Sequence, residues 1–410
     1  MAADTLFHRI TDYANRANPY PLYAELREEG VARQEDGSYL VGTYHEIQAL
    51  LHDPRISSDR RKRTVPDATT AAQEGLPPAF IGLDDPEHHR LRNLTMRSFG
   101  PPHTPDRIDG MHDDITRIVK DLIGSFAGKE RIDIVDDFAY PLPVTVICRL
   151  LGVPIEDEPR FREWSDAIVT GIDPSPREDP AERQRAAAEA RKAMGLYLGE
   201  LAEKRRAHPS DDMLSAFVSD SSDGQLTPLE IMTTSVLLLI AGHETTVNLI
   251  TNGILTLLRH PDELARLRSE PALMPRAVEE LLRYEPPVQM LPQRTPLADI
   301  EVAGVTVPKG APLILMLASG NRDPRRFRDP DRFDPTRDDH THLGFGSGIH
   351  SCFGAPLARL EAQIALNELL QYLDHPRLAE DPPPYRRSPV LRGPRHLLVE
   401  QGRAAVRGGQ

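Results

Sequence analysis

The spacing of apolar residues along the chain predicts a mostly helical protein. Over most of the sequence they recur every three to four residues, the spacing that gives an α-helix one buried face. From Asp106 to His260 this helical spacing is almost continuous. Outside that region, helices are predicted over residues 18–29, 44–52, 86–99, 274–284 and 357–373.

Short β-strands are predicted at two places, each around a turn. The turns are Asp36-Gly37 and Ala303-Gly304. The four strands cover residues 31–32, 38–43, 298–302 and 305–307. Because the helices do not alternate with strands, a doubly wound parallel sheet is not expected. The predicted fold class is therefore mainly α with a small β region.

One helix is predicted to cross the centre of the molecule. Thr227 has the side chain of an N-cap, Pro228 suits the first helical position, and Glu230 is an acid in the first turn. The helix then continues to about His260, and its middle is apolar on all faces. A helix that is apolar all round is buried by other elements.

Length and proline usage bear on the number of domains. The chain has 410 residues, including 38 prolines. The prolines punctuate the predicted helices and form no long linker, so we expect one domain over residues 1–401. Residues 402–410 are expected to be a flexible tail. Residues 55–81 lack any periodicity and are predicted to be a long loop.

Charge and cysteine content exclude several classes of protein. The formal net charge is −13, which argues against a nucleic-acid partner. Two cysteines, Cys148 and Cys352, cannot form a disulfide framework. No apolar run approaches the ~20 residues of a membrane span, and the first twenty residues lack a signal-peptide core. We therefore expect a cytoplasmic protein with no membrane contact.

Cys352 lies in the segment with the most distinctive pattern. Glycines crowd around it in Phe345-Gly-Ser-Gly-Ile-His-Ser-Cys352-Phe-Gly354, and a helix follows. Free N–H groups at a helix N-terminus favour a thiolate, and glycines allow close approach of a flat partner. A single thiolate suits an axial haem ligand. On these residues alone, Cys352 could also be a small buried apolar side chain, which is the commoner case for a lone cysteine. A catalytic thiol is a further option, but it needs a base that the sequence does not place.

Polar residues interrupt the apolar centre of the long helix, in Ala241-Gly242-His243-Glu244-Thr245-Thr246. Threonine hydroxyls can donate to the carbonyl four residues back, which bends a helix and opens a groove. A hydroxyl and a carboxyl beside such a groove could relay protons. The alternative is a bend in a core helix whose polar groups are all hydrogen-bonded and have no catalytic role. A zinc-protease motif would need histidine at position 247, which is valine.

The cysteine segment resembles the haem-binding loop of the cytochrome P450 family, and the polar run resembles that family's oxygen-activating segment. The resemblance extends from Asn18 to about Val399. It implies that Cys352 ligates the iron of haem b, that Phe345 packs near the thiolate, and that His350 binds a haem propionate. It further implies that Thr245 manages protons for bound dioxygen, with Glu244 as the neighbouring acid. Ala241 and Gly242 are expected to line the cofactor.

Further motifs fit the same resemblance. His88 and Arg92 share a helix face and match a bacterial propionate-binding pattern, although His89 stands where threonine is common. Arg294 matches a third propionate ligand. Glu280 and Arg283 match the family's ExxR pair. Arg332 is expected to complete this buried structural network.

The resemblance implies a monooxygenase that hydroxylates or epoxidises a lipophilic substrate such as a steroid, terpenoid or polyketide. Electrons are expected from a ferredoxin and its NAD(P)H-dependent reductase. These would dock where Arg92, Arg97 and Arg359 present positive charge. A monomer is expected. Three alternatives remain: a haem-thiolate enzyme that works without O2, a haem sensor or carrier, and a helical protein without haem but with a reactive Cys352.

Overall fold

The structure, a computed structural model, is mainly α-helical with a small β component, which confirms the predicted fold class. The described residues are 5–63, 76–100, 104–172, 180–220 and 225–401. The predicted tail, residues 402–410, and residues 64–75 of the predicted loop lie outside them. The assignment of residues 1–401 to one domain stays a prediction.

The helices follow the predicted order closely. Residues 44–52 and 274–284 are helical with the predicted bounds. Within the described ranges no helix is long and apolar enough to cross a bilayer. The helices are α1 (Leu6–Thr11), α2 (Tyr20–Glu29), α3 (Tyr44–His52), α4 (Glu87–Met96), α5 (Pro105–Asp109), α6 (His112–Ser125), α7 (Pro141–Leu151), α8 (Glu158–Gly171), α9 (Pro180–Ala207), α10 (Met213–Ser219), α11 (Pro228–Arg259), α12 (Pro261–Ser269), α13 (Met274–Tyr284), α14 (Leu317–Gly320) and α15 (Ala355–Tyr372).

The long helix α11 begins at the predicted cap and packs against α7, α9 and α15. The Thr227 side chain accepts from the Glu230 backbone N–H, and the Glu230 side chain accepts from the Thr227 backbone N–H. This reciprocal capping satisfies two N–H groups of the first turn. At ~1.5 Å per residue the helix is about 48 Å long, enough to cross the fold. Most of its side chains are buried, as the sequence predicts.

The β component is larger than the sequence indicates. The strands are β1 (Val31–Arg33), β2 (Tyr39–Val41), β3 (Ile56–Ser57), β4 (Arg131–Asp133), β5 (Leu291–Pro296), β6 (Ile300–Val302), β7 (Val305–Val307), β8 (Leu313–Leu315), β9 (Arg377–Leu378) and β10 (Leu398–Glu400). One sheet has the order β1-β2-β8-β5-β3, a second β4-β10-β9, and β6 pairs with β7. The prediction that residues 106–260 are almost entirely helical is wrong at β4. This strand pairs with β10 from the far end of the chain, a partner that local periodicity cannot reveal.

The Glu280–Arg283 pair is buried, but its predicted third member is wrong. Two nitrogens of the Arg283 guanidinium donate to the Glu280 carboxylate at 2.7 and 2.8 Å. The Arg332 side chain is exposed, and this residue contributes only its carbonyl, which accepts from Arg283 at 3.1 Å. Arg337 supplies the second cation, with Nε 3.2 Å from Glu280 Oε2. Arg337 therefore occupies the position beside Glu280 that the sequence assigned to Arg332.

Candidate active site

The cysteine loop, residues 345–352, precedes α15 and is closed by its own backbone. The Cys352 N–H donates to the Phe345 carbonyl at 2.8 Å. Gly348 has a φ of +69°, which residues with a Cβ rarely adopt. A Cβ at Gly348 would also lie 2.2 Å from the Leu51 carbonyl oxygen. Glycine is therefore required here both by backbone conformation and by the close approach of α3.

The Cys352 thiol is solvent-accessible, yet protein surrounds it on most sides. Burial raises the pKa of this thiol, while the backbone N–H groups of Gly354 and Ala355 and the guanidinium groups of Arg92 and Arg359 lower it. The net direction is upward, so the expectation of a lowered pKa at the start of α15 is wrong for the thiol by itself. Desolvation outweighs the N–H groups and charges, although these groups face the sulfur as expected. A bound metal cation deprotonates such a thiol outright.

Aromatic rings pack around the cysteine loop. The Phe353 ring lies 5.6 Å from the Phe80 ring and 4.4 Å from the Phe99 ring, between centroids. The Arg359 guanidinium lies 4.6 Å from the centroid of the Phe345 ring. Sequence reasoning predicted a role for Phe345 and missed the other three rings. Their positions depend on packing between segments that are distant in sequence.

The predicted propionate ligands converge in the structure. His88 and Arg92 lie on α4, Arg294 on β5 and His350 in the cysteine loop; the rings of His88 and His350 are 4.2 Å apart between centroids. Nε2 of His88 and both ring nitrogens of His350 are buried without a hydrogen-bond partner. Burial, followed by the charges of Arg294 and His88, lowers the pKa of His350 to about 3. Burial also lowers the pKa of Arg294 to about 10. Positive groups and unsatisfied donors in one place fit an anion, and the two carboxylates of haem b meet that requirement.

Ala241 and Thr245 share one face of α11, because they are four residues apart. Ala241 is exposed although its neighbours in the middle of α11 are mostly buried. The Thr245 hydroxyl donates to the Ala241 carbonyl at 2.9 Å, as predicted. Gly242 lies against α7, where a Cβ would be 2.9 Å from Cδ1 of Ile147. The structure therefore gives Gly242 a packing role, and its contact with the cofactor stays a prediction.

Glu244 is buried and held by two basic residues. Its Oε2 accepts from Nη1 of Arg386 at 3.1 Å, and its Oε1 lies 3.6 Å from Nε2 of His243. Burial alone raises the pKa of Glu244, but His243 and Arg386 together lower it to about 2. In the described chain no hydrogen bond joins Glu244 to Thr245. The two predicted relay residues are neighbours in sequence with different partners in the fold.

Glu244 also lines a cleft of about 790 Å³ between α8 and the C-terminal segment that contains Arg386. Sequence reasoning missed Arg386. The only available signal was its position in an arginine-rich run, which does not identify a partner 142 residues away.

An accessible cysteine in a glycine loop, with histidines and arginines gathered for carboxylates, is the donor set of a haem-thiolate protein. The sequence comparisons agree. Residues 32–400 match the family model "Cytochrome P450". The chain is 42% identical over 406 residues to the cytochrome P450 monooxygenase PikC of Streptomyces venezuelae, covering 95% of this chain and 93% of that protein. It is 41% identical over 399 residues to a vitamin D(3) 25-hydroxylase of Pseudonocardia autotrophica, covering 94% of each.

A solved structure is similar over the whole fold. Ligand-free CYP164A2 of Mycobacterium smegmatis has a TM-score of 0.88 and 39% identity, covering 97% of this chain and 100% of that one. The chain belongs to the cytochrome P450 family. It is a haem b-dependent monooxygenase.

Proposed function

We propose that the protein inserts one oxygen atom of O2 into a C–H or C=C bond of a lipophilic small molecule, with Cys352 as the iron ligand. Haem b, when bound, supplies the iron at which dioxygen is reduced. The observation that carries the proposal is the gathering of His88, Arg92, Arg294 and His350 beside the cysteine loop. These residues would bind the propionates and fix the orientation of the porphyrin.

The helix α11 would supply the proton path. The Thr245 hydroxyl is only partly buried, and its bond to the Ala241 carbonyl leaves an oxygen lone pair free to accept a proton. Glu244 borders the cleft beside α8, so it is proposed as the group that exchanges protons with that cleft. Thr245 is the residue that would hold the proton nearest the substrate.

The substrate is proposed to be a steroid, terpenoid or polyketide of medium or large size. Leu237 and Ile240 on α11 are partly buried aliphatic residues, and Val288 bridges to Leu391 through the backbone. These residues are proposed to line the substrate pocket. Apolar walls select lipophilic ligands. The relative named for vitamin D(3) supports a substrate of this kind.

Electrons are proposed to come from NAD(P)H through a ferredoxin reductase and a ferredoxin. The predicted positive docking face is weaker than expected. Arg359 is paired with Glu279 at 2.6 Å and Arg97 with Asp220 at 3.4 Å, while Arg92 donates to the Ser351 carbonyl. Positioning of the partner would therefore depend on contacts beyond simple charge attraction.

The test has two stages. The reduced, CO-bound protein should show a thiolate-type Soret band that Cys352→Ser abolishes; an unchanged spectrum would refute the ligand assignment. Cys148→Ser is the matched control, because Cys148 is buried in the core.

A lipophile library is then screened for spin-state shifts, and hits are incubated with surrogate ferredoxin, reductase and NADPH under ¹⁸O₂. Product carrying one ¹⁸O supports the proposal. Ligand binding without NADPH consumption would instead identify a carrier. Turnover with peroxide but not with NADPH and O2 would identify an O2-independent enzyme.

A further inference from the structure

Glu244 lies where three parts of the chain meet: α11, α8 and the C-terminal segment that contains Arg386. Its side chain is 4% exposed, and a basic nitrogen faces each of its carboxylate oxygens. A carboxylate this deeply buried is costly unless its charge is balanced. The protonation state of His243 therefore decides whether one cation or two hold Glu244.

The hydrogen bond of the His243 imidazole shows where one proton lies. Its Nδ1 is 2.7 Å from the Leu239 carbonyl oxygen, which can only accept, so Nδ1 carries a proton. In a neutral ring Nε2 would then turn a lone pair toward the Glu244 carboxylate, 3.6 Å away. A second proton on Nε2 replaces this repulsion by attraction.

We infer that His243 is a doubly protonated positioning residue that, together with Arg386, holds Glu244 between two cations. This two-cation clamp sets the proton affinity of Glu244, the acid proposed to act with Thr245 in the proton path. The inference rests on the proposed role of Glu244 in the proton path. It adds His243, a position at which the family's oxygen-activating motif does not specify the residue type. His243 does not act on the substrate; it acts through Glu244.

The surrounding charges are consistent with this balance. On α8, Arg162 adds a further positive charge near Glu244, whereas burial and the charge of Glu244 raise the pKa of Asp166. The other charged residues that line the cleft are Arg183, Arg387 and Arg395. Because the carboxylate is stabilised by its neighbours, loss of either cation of the clamp must raise its proton affinity.

A packing role for His243 is the competing explanation. The ring meets the edge of Tyr140 at 6.2 Å between centroids and lines a small cavity with Cys148 and Phe161. His243→Phe retains an aromatic ring and removes both nitrogens, so a pure packing role predicts little change. Arg386→Lys retains the second cation, and Arg386→Met removes it with a similar chain length.

The first test is direct. The full-length haem protein is labelled with ¹⁵N-histidine and studied in the diamagnetic ferrous-CO state, and the His243 signals are assigned by their loss in His243→Phe. Two nitrogen shifts typical of an imidazolium at pH 7 are expected. A ring protonated only at Nδ1 would overturn the inference. This measurement requires no substrate, so it remains valid if the proposed oxygenation fails.

The second test measures the ratio of product formed to NADPH consumed as a function of pH. In His243→Phe and Arg386→Met the pH at which coupling changes should move upward, and coupling at neutral pH should change by about threefold to tenfold. This is less than the ~100-fold of a direct proton donor. Arg386→Lys should restore the wild-type profile, and substrate-induced spin shifts should be unchanged. Unchanged profiles in both clamp variants would refute the inference, whereas absence of product in the wild type would refute the proposed function.

Discussion

Arg337 is predicted to stabilise the buried ExxR pair, in place of the Arg332 that the sequence suggested. Glu280 is fully buried, and Arg337 is 11% exposed with its Nε 3.2 Å from Glu280 Oε2. Arg332 participates only through its carbonyl, which any residue at that position would supply. Arg337→Met and Arg332→Met therefore remove the same group in two very different settings.

The structure allows the size of each effect to be worked out. Removing one partner of an isolated buried ion pair costs about 3–5 kcal/mol. After Arg337→Met, Glu280 keeps two hydrogen bonds from Arg283 and one from the Asp334 backbone, so the loss is smaller. One hydrogen bond to a charged group contributes about 1.5–3 kcal/mol. We expect Arg337→Met to lower the free energy of unfolding by about 2–3 kcal/mol, and Arg332→Met by less than about 0.5 kcal/mol.

Urea unfolding of the haem-loaded variants, followed by far-UV circular dichroism, measures this difference. Equal slopes with a lower midpoint for Arg337→Met would indicate a change in stability alone. Retention of haem, followed by the Soret absorbance during unfolding, should fall in parallel, because the pair joins α13 to residues 321–334, and Glu279 of the same helix is paired with Arg359 just after the cysteine loop. Equal losses for the two variants, or a loss below 0.5 kcal/mol for Arg337→Met, would refute the assignment of Arg337 to the network.

Three further predictions concern the site and the core. Thr245→Ala should lower the coupling of NADPH to product by at least about tenfold and release peroxide, and unchanged coupling would count against the hydroxyl. Gly348→Ala should lower haem occupancy, because its Cβ would meet the Leu51 carbonyl; full occupancy after purification would contradict this. Glu361 is buried and burial raises the pKa of its carboxyl, so the fold binds a proton that the unfolded chain releases above about pH 4.3. Wild-type stability should therefore fall above that pH by up to ~1.4 kcal/mol per unit, and Glu361→Gln should remove this slope in pH-dependent urea titrations.

The predictability of this fold from sequence follows the range of the interactions. α3, α11 and α13 have the predicted bounds to within one residue, because caps, prolines and a 3.6-residue period act over a few positions. β4 and β8 escaped prediction since each is three residues long and pairs with strands distant in sequence. The Arg332 prediction failed for a related reason: the segment is irregular, and side-chain direction in irregular segments depends on hydrogen bonds that have no period.

In the candidate site, too, features that depend on neighbouring residues could be predicted, and features that depend on residues distant in sequence could not. Residues such as Cys352 and Thr245 could be proposed from the sequence because their expected chemistry depends on neighbours a few positions away: glycines in one case and a helical carbonyl in the other. Glu244 could also be proposed from the sequence, but its charge state could not. Its charge depends on Arg386, which approaches from another part of the chain, and on the neighbouring His243, whose Nδ1 faces the Leu239 carbonyl. A motif can thus specify which atoms perform a reaction, while the proton affinity of those atoms is set by residues that the motif does not contain. For this reason relatives with the same Glu-Thr pair and different clamp residues should differ in the pH dependence of coupling even when they act on the same substrate.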